Sequence, residues 1–92
     1  MNKAKLIEAV ARNTGESKAT VSKVIDETLD AIVAGVVADG KVQLTGFGTF
    51  EARDRKARIA RNPQTGAEVK VPATRVPAFK AGKGFKDAVK PG

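Results

Sequence analysis

The stretch Glu51–Val76, EARDRKARIARNPQTGAEVKVPATRV, decides how this chain folds. Between Arg53 and Arg61 almost every residue is Arg, Lys or Ala, and Ile59 is the only large apolar side chain. A strand of this composition has no apolar face to bury against a core. The segment is therefore predicted to leave the body of the protein and to stay in solvent.

A turn divides this stretch into two strands. Asn62-Pro63-Gln64-Thr65-Gly66 has the composition of a turn, and residues 67–76 form the returning strand. Pro72 in that strand belongs on an open edge, because proline has no N–H for a ladder hydrogen bond. The sequence thus predicts a protruding two-stranded hairpin, the arm, with about nine residues per strand and a length of roughly 30 Å.

The residues before the arm have helical periodicity. Asn2 can cap a first helix over Lys3–Asn13, and Gly15 can end it. Ser17 can cap a second, longer helix that extends to about Ala38. The apolar stripe of this second helix comprises Val21, Val24, Ile25, Leu29, Ile32, Val33, Val36 and Val37.

Short strands and a last helix complete the predicted fold. Val42–Leu44 is a β-prone run, and Gly46-Phe47-Gly48 forms a tight turn into a strand that begins at Thr49. After the arm, Val76–Phe79 is apolar again, and a short helix spans about residues 82–89. The predicted class is α+β: a two-helix base, a short three-stranded sheet that extends into the β-ribbon arm, and a short C-terminal helix.

The arm leaves too few residues for a complete core. A domain of this length buries only about 60–65% of its unfolded surface even when it is compact. The second helix also has a longer apolar stripe than the first helix can cover. We therefore expect an obligate, intertwined dimer with a core built from Leu29, Ile32, Val36, Leu44, Phe47, Phe50 and Phe79.

The whole chain is expected to act as one domain, residues 1–92. Residues 1–50 supply the helical dimerisation body and the first strands. Residues 51–76 form the arm hairpin, and residues 77–92 supply the end of the last strand and the C-terminal helix.

The excess of positive charge is confined to one part of the chain. The sequence has 17 Lys and Arg against 10 Asp and Glu, a net charge of +7. Residues 1–50 hold six basic and six acidic residues, whereas residues 51–86 hold ten basic and three acidic ones. Such segregation predicts a polyanionic partner rather than a generally solvated surface.

The residue types that are missing exclude other functions. The sequence has no Cys and no His, so it lacks thiolate ligands, the commonest metal ligand and the commonest general base. We expect no metal, no cofactor and no enzymatic activity.

No apolar run approaches the roughly 20 residues of a membrane span, and Met1-Asn2-Lys3 leads into a charged amphipathic segment. We therefore expect a cytoplasmic protein without a membrane partner.

Pro63 stands at the tip of the basic arm. Its simplest interpretation is structural, because proline suits a turn. Arg55, Arg58 and Arg61 favour a second interpretation. A rigid ring at the end of a cationic ribbon can wedge between base steps in the minor groove while the guanidinium groups hold phosphates. This pattern predicts a protein that bends duplex DNA.

Two other nucleic-acid motifs are weaker. Ser17–Ile25 resembles the recognition helix of a helix-turn-helix repressor, but residues 18–38 hold two lysines against three acids. That balance disfavours the major groove. Gly46-Phe47-Gly48 begins like an RNA-recognition motif but lacks the leading base and the later aromatic residues. As a dinucleotide-binding loop it fails because Glu51 replaces the third glycine.

Three motifs resemble the HU/IHF family of bacterial histone-like proteins, and the likeness extends over the whole chain. They are Gly46–Phe50, Arg61–Gly66 and Pro77–Lys83. The resemblance implies an intertwined dimer with arms that reach around DNA through the minor groove and tip prolines that intercalate. Ala60 departs from the glycine of many relatives, which stiffens the approach to the tip. The end of the chain at Gly92, without a longer extension, favours the HU branch.

The resemblance also assigns site residues and partners. It places the wedge on Pro63, groove and phosphate contacts on Arg53, Arg55, Arg58, Arg61, Asn62 and Gln64, and further phosphate contacts on Lys80, Lys83, Lys86 and Lys3. The expected function is architectural, largely sequence-independent binding, bending and condensation of double-stranded DNA in the nucleoid, with bent, nicked or junction DNA preferred. Several alternatives stay open. The dimer is a homodimer or a heterodimer with a paralogue, RNA is a possible further partner, and the protein is alternatively a sequence-preferring IHF-like bender or a repressor.

Overall fold

The computed structural model describes residues 1–91. Within this range three helices and five strands follow one another as α1 (Lys3–Thr14), α2 (Lys18–Asp39), β1 (Lys41–Leu44), β2 (Gly48–Arg55), β3 (Arg58–Arg61), β4 (Glu68–Val71), β5 (Thr74–Ala81) and α3 (Lys83–Val89). The order confirms the predicted α+β class. None of these helices is long and apolar enough to cross a membrane.

The chain divides into two compact units, and the boundary falls within α2, between Ala34 and Gly35. The first unit holds α1 and most of α2, which begin at the caps that the sequence predicts. The Asn2 side chain accepts a hydrogen bond from the Lys5 N–H at 2.9 Å. The Ser17 hydroxyl accepts one from the Thr20 N–H at 3.2 Å. These caps satisfy backbone donors that a helix start otherwise leaves without a partner.

The second unit contains an antiparallel sheet of strand order β1-β2-β5. Val42 lies opposite Phe50, and Phe50 lies opposite Phe79, so the three side chains share one face of the sheet. The last turns of α2 pack closely on this apolar face, because a Cβ added at Gly35 would lie 2.6 Å from Val42 Cγ2. The opposite face carries polar side chains.

The phenylalanine side chains form a cluster beside the sheet. The Phe47 ring centroid lies 5.5 Å from that of Phe79 and 5.2 Å from that of Phe85. Phe50 lies 4.8 Å from Phe79 by the same measure. The Gly82 N–H donates to the Phe47 carbonyl at 2.8 Å, which anchors the start of α3 to the β1–β2 turn. The cluster therefore joins the turn, the sheet and α3.

A single chain buries very little of its apolar surface. Among the described residues, the buried hydrophobic side chains are those of Ala11 and Val21. Of the predicted dimer-core residues, Leu29, Leu44, Phe47 and Phe79 are between 38% and 49% exposed. Ile32, Val36 and Phe50 are half-buried. A globular domain normally encloses such side chains completely, so these surfaces need further cover.

The arm is not the continuous ribbon of nine residues per strand that the sequence predicts. β2 pairs with β5 up to Arg55↔Thr74, and pairing resumes between β3 and β4 at Arg58↔Val71. We call residues 58–71 the distal arm. We call the interruption, formed by Lys56-Ala57 on one strand and Pro72-Ala73 on the other, the joint. The prediction of an unbroken hairpin is wrong at these four positions, and Pro72 explains why.

The hydrogen-bonding phase of the ladder changes at the joint. In an antiparallel ladder every second pair is hydrogen-bonded. The Gly82 N–H donates to the Phe47 carbonyl, so this pair at the end of the β2–β5 ladder is hydrogen-bonded. The Ala52 N–H instead donates to the Gly40 carbonyl, on the side away from β5. Odd-numbered residues of β2 therefore bond to β5. At the far end the Asn62 N–H donates to the Ala67 carbonyl at 2.8 Å, so even-numbered residues of β3 bond to β4.

Proline chemistry accounts for this change of phase. If the phase of β2 and β5 continued, the backbone nitrogen of Pro72 would have to donate to the Ala57 carbonyl, and proline has no N–H. In a regular ladder one residue on each strand separates successive hydrogen-bonded pairs. Between the pairs Arg55↔Thr74 and Arg58↔Val71 there are two residues on each strand. The joint is thus a double bulge, and a bulge re-aims the side chains that follow it.

Gly48→Ala is expected to destabilise the protein by about 2–4 kcal/mol. Gly48 is buried, and a Cβ there would lie 2.5 Å from Phe79 Cζ and 2.7 Å from the Lys80 carbonyl oxygen, which cannot move without breaking the strand. Urea unfolding at one fixed protein concentration measures the loss. Gly15→Ala is the control: its Cβ meets nothing within 4 Å, and only the left-handed φ of 77° opposes it, at a cost of about 1 kcal/mol. Equal losses would contradict the packing argument.

Candidate nucleic-acid interface

The polar face of the three-stranded sheet is rich in cations. Its cross-strand rows are Lys41–Glu51–Ala78, Gln43–Thr49–Lys80, Arg53–Val76 and Arg55–Thr74. Four cations therefore share the face with one carboxylate. Three of them, Arg53, Arg55 and Lys80, are predicted site residues, and the pairing register brings them together.

Lys41 is a member of this face that the sequence analysis missed. It is exposed and lies directly opposite Glu51 at the start of β1. The signal was present, because Lys41-Val42-Gln43-Leu44 alternates between polar and apolar side chains, as a half-buried strand does. With Val42 on the apolar face, Lys41 has to lie on the polar one.

Arg53 is held in place within the chain. Its Nε and Nη2 atoms lie 3.0 and 2.9 Å from the same Glu51 oxygen. The Glu51 side chain is only 26% exposed, whereas that of Arg53 is 51% exposed. Ion pairs this close to solvent contribute little to stability, so their main effect is on side-chain direction. Glu51 therefore orients the Arg53 guanidinium along the polar face.

The joint decides which arm cations continue this face. Simple alternation from Arg53 and Arg55 would place Arg58 on the opposite side. The double bulge adds one residue to each strand, and a shift of one residue moves every later side chain to the other face. Arg58 therefore lies on the same side of the ribbon as Arg53 and Arg55, and Arg61 lies on the other side. The predicted arginines are divided between two surfaces.

The tip is a tight turn tied by four hydrogen bonds. The Asn62 N–H donates to the Ala67 carbonyl at 2.8 Å and the Gly66 N–H donates to the Asn62 carbonyl at 2.7 Å. Gly66 has φ 73°, a left-handed conformation that favours glycine. The Gln64 N–H donates to Asn62 Oδ1 at 2.8 Å, and the Ala67 N–H donates to the Thr65 hydroxyl at 3.2 Å.

This turn gives Asn62 and Pro63 different roles. The Asn62 side-chain oxygen is already used to hold the turn, and the residue is half-buried. Pro63 follows it directly and is exposed, as Gln64 is. Asn62 is therefore a positioning residue for the tip, in addition to any contact its amide nitrogen makes, and Pro63 is the ring that the tip presents.

The remaining predicted site residues lie outside the arm. Lys83 is the first residue of α3, and Lys86 lies in its last turn; both are exposed. Lys3 begins α1 in the first unit and forms an ion pair with Asp26. This pair could not be predicted from the sequence, because Asp26 is distant along the chain and meets Lys3 only when α1 packs beside α2.

Arg75 is a second basic residue that the site prediction left out. It lies opposite Asp54 on β2, and its Nε atom is 3.5 Å from Asp54 Oδ1. Its Nη2 atom also lies 3.8 Å from the Cβ position of Gly40, just beyond the end of α2. Arginine is favourable near the carbonyl end of a helix. The Arg75 guanidinium therefore lies near the end of α2.

Comparisons with known sequences agree on one family. The family model described as bacterial DNA-binding protein matches residues 1–90. The DNA-binding protein HU of Geobacillus stearothermophilus is 54% identical over 90 residues, which cover 98% of this chain and 100% of that protein. DNA-binding protein HU 1 of Bacillus subtilis is 52% identical over 89 residues, which cover 97% of each chain.

Solved structures give the same result. A cocrystal structure of Anabaena HU with DNA matches at a TM-score of 0.91 and 47% identity, and covers 100% of both chains. A V42I mutant of HU from Thermotoga maritima matches at a TM-score of 0.72 and 33% identity, and covers 98% of this chain and 100% of that one.

Asn62→Ala is expected to loosen the arm tip, because it removes the oxygen that accepts the Gln64 N–H. Amide hydrogen exchange at Gln64, followed by NMR, should accelerate about tenfold, in line with the loss of a hydrogen bond worth about 1 kcal/mol or slightly more. Asn62→Asp keeps an acceptor at the same atom and should retain protection. Equal acceleration in both variants would mean that the side chain does not hold the turn.

Proposed function

The chain belongs to the bacterial DNA-binding protein family, and from this premise we propose that it binds and bends double-stranded DNA as an architectural protein of the nucleoid. The observation that carries the proposal is the arm. It presents an exposed proline at the end of a ribbon that continues a cationic sheet face. The cations supply affinity for phosphates, and the proline supplies the wedge.

Binding is expected to be largely independent of sequence. Lys41, Arg53, Arg55, Arg58 and Lys80 meet the phosphates and the edges of the minor groove, which distinguishes little beyond A·T from G·C. The protein should therefore select DNA by shape and deformability, and prefer bent, nicked or junction duplexes. Lys83 and Lys86 on α3, and Lys3 on α1, are proposed to add phosphate contacts.

Bending follows from the position of Pro63. An apolar ring that enters a base step unstacks it at a cost of a few kcal/mol, and the bent duplex then touches more cations. Two arms supply two wedges, so the protein is proposed to fix two kinks in one duplex. Asn62 contributes by holding the turn that presents the ring.

The active species is proposed to be a dimer in which the 92 residues act as one domain. Leu29, Leu44, Phe47 and Phe79 stay 38–49% exposed in one chain, and Val33 and Val37 on α2 are 64% and 70% exposed. Apolar surface of this extent is typical of a subunit whose core is completed by its partner. A second copy of the chain is the partner that this family resemblance favours.

Rival functions have less support. A helix-turn-helix repressor would need the start of α2 in the major groove, where Asp26, Glu27 and Asp30 of that helix oppose DNA. An enzymatic activity would have no histidine as general base and no cysteine as nucleophile. A location in the cytoplasm, on the nucleoid, agrees with DNA as the ligand.

Pro63→Ala is expected to reduce DNA bending while it leaves most of the affinity for straight duplex. Fluorescence resonance energy transfer between the ends of a short nicked duplex reports the bend, and anisotropy reports affinity. Wild-type protein should shorten the end-to-end distance. The variant should bend less and lose about tenfold in affinity for nicked duplex, because the wedge stabilises only the kinked form.

Pro91→Ala makes the same chemical change outside the arm and is the matched control. Equal losses on straight and nicked duplex in Pro63→Ala would contradict the wedge. If the wild-type protein left both duplexes straight, the proposal of an architectural bender would fail.

Leu29→Glu is expected to prevent assembly, because it places a charge in the proposed dimer core at a cost of about 2–5 kcal/mol per chain. Val69→Glu is the control, since Val69 is 47% exposed and Leu29 is 49% exposed, but Val69 lies in the arm. Analytical ultracentrifugation should detect a dimer for wild type and Val69→Glu only. The melting temperature of the wild type should rise with protein concentration. A monomeric wild-type protein would contradict the dimer.

A further inference from the structure

The distal arm has two faces of different chemistry, because the joint reverses the alternation of its side chains. On the side that continues Arg53, Arg55 and Arg58, the next cross-strand pair is Ala60↔Val69, and Val71 lies opposite Arg58. We call Ala60, Val69 and Val71 the methyl strip. The other side carries Ile59↔Lys70 and Arg61↔Glu68. The two sides thus differ in their hydrogen-bonding groups.

The methyl strip offers no hydrogen-bond acceptor from a side chain. Its nearest cation, Arg58, has donors only. Asn62, which follows β3 on that side, has an acceptor, but the hydrogen bond from the Gln64 N–H holds its Oδ1 beside the backbone of the tip turn, beyond the methyl strip. Glu68, the carboxylate of the distal arm, belongs to the opposite side. A surface that faces the methyl strip therefore meets methyl groups and donors.

This chemistry matches one kind of minor groove. A·T and T·A pairs present only acceptors there, adenine N3 and thymine O2, whereas G·C pairs add the amino donor of guanine N2. Guanidinium donors can satisfy the acceptors at the rim. The guanine amino group would instead be buried against methyl groups without an acceptor, which is costly.

We propose that the methyl strip makes the distal arm discriminate against guanine in the minor groove, so that A·T-rich steps are selected beneath the arm. The inference rests on the proposed DNA-binding function and adds a specificity determinant to it. It requires that the duplex lie on the side of Arg53, Arg55 and Arg58, which is the side that continues the cationic sheet face. The preference is confined to the base pairs under the two arms.

Inosine separates the amino group from the rest of guanine. An I·C pair keeps the major-groove groups of G·C but lacks the minor-groove amino donor, so its minor groove resembles that of A·T. The experiment uses three nicked duplexes of equal length that carry A·T, I·C or G·C pairs in the segments under the arms. Anisotropy at one fixed salt concentration gives the affinities, and energy transfer between the ends gives the bend.

The wild-type protein should bind the A·T and I·C duplexes alike and the G·C duplex at least about fivefold more weakly, as expected for a buried unpaired donor. Val69→Thr places a hydroxyl acceptor on the strip and should reduce the discrimination to less than about twofold. Val71→Thr is a second variant of the same design. Ile59→Thr makes a closely similar change on the opposite face and should keep the full discrimination.

Equal wild-type affinity for I·C and G·C duplexes would overturn the inference, and so would equal effects of Val69→Thr and Ile59→Thr. In either case bending of all three duplexes would leave the proposed function intact. Failure to bend any of them would instead contradict the proposed function. Amide exchange at residues 58–71 establishes that each variant retains the paired distal arm.

Discussion

The shortage of residues for a core is the constraint on which the rest of this molecule depends. The residues between Arg53 and Val76 serve the arm and its base, so little chain remains to cover the apolar face of α2 and the phenylalanine cluster. Ala11 and Val21 are the buried hydrophobic residues of the described chain. A domain normally stabilises itself by burying large side chains. The proposed second copy supplies that cover, and it brings a second arm as a consequence.

The division of the sequence into a helical body and an arm therefore separates both burial and charge. The segment that cannot be buried is the segment that carries the excess of positive charge, and exposure keeps those cations available to a polyanion. Acidic residues form ion pairs with two of these cations. Glu51 orients Arg53, and Asp54 lies beside Arg75 where the arm leaves the sheet. These exposed pairs add little stability, and their effect is on the direction of side chains.

Local signals were sufficient for most of the fold. The helix caps at Asn2 and Ser17, the turn at Gly46-Phe47 and the hairpin tip at Asn62–Gly66 all depend on neighbours within a few residues, and the structure has each of them where the sequence predicts it. Contacts between residues that are distant along the chain could not be predicted from the sequence in the same way. The Lys3–Asp26 ion pair and the place of Lys41 on the cationic face depend on packing and on the register of partner strands.

The sequence by itself determined that this chain has a two-helix base and a basic arm with proline at its tip, and it predicted too little core for a monomer, because composition and periodicity directly limit what can be buried. Only the tertiary structure decided which way the arm cations face. Counting residues from Arg55 puts Arg58 on the wrong side, since the count assumes an unbroken ladder. The missing N–H of Pro72, on the opposite strand, shifts the phase for both strands. That effect arises from pairing, and it exists only once the two strands lie side by side.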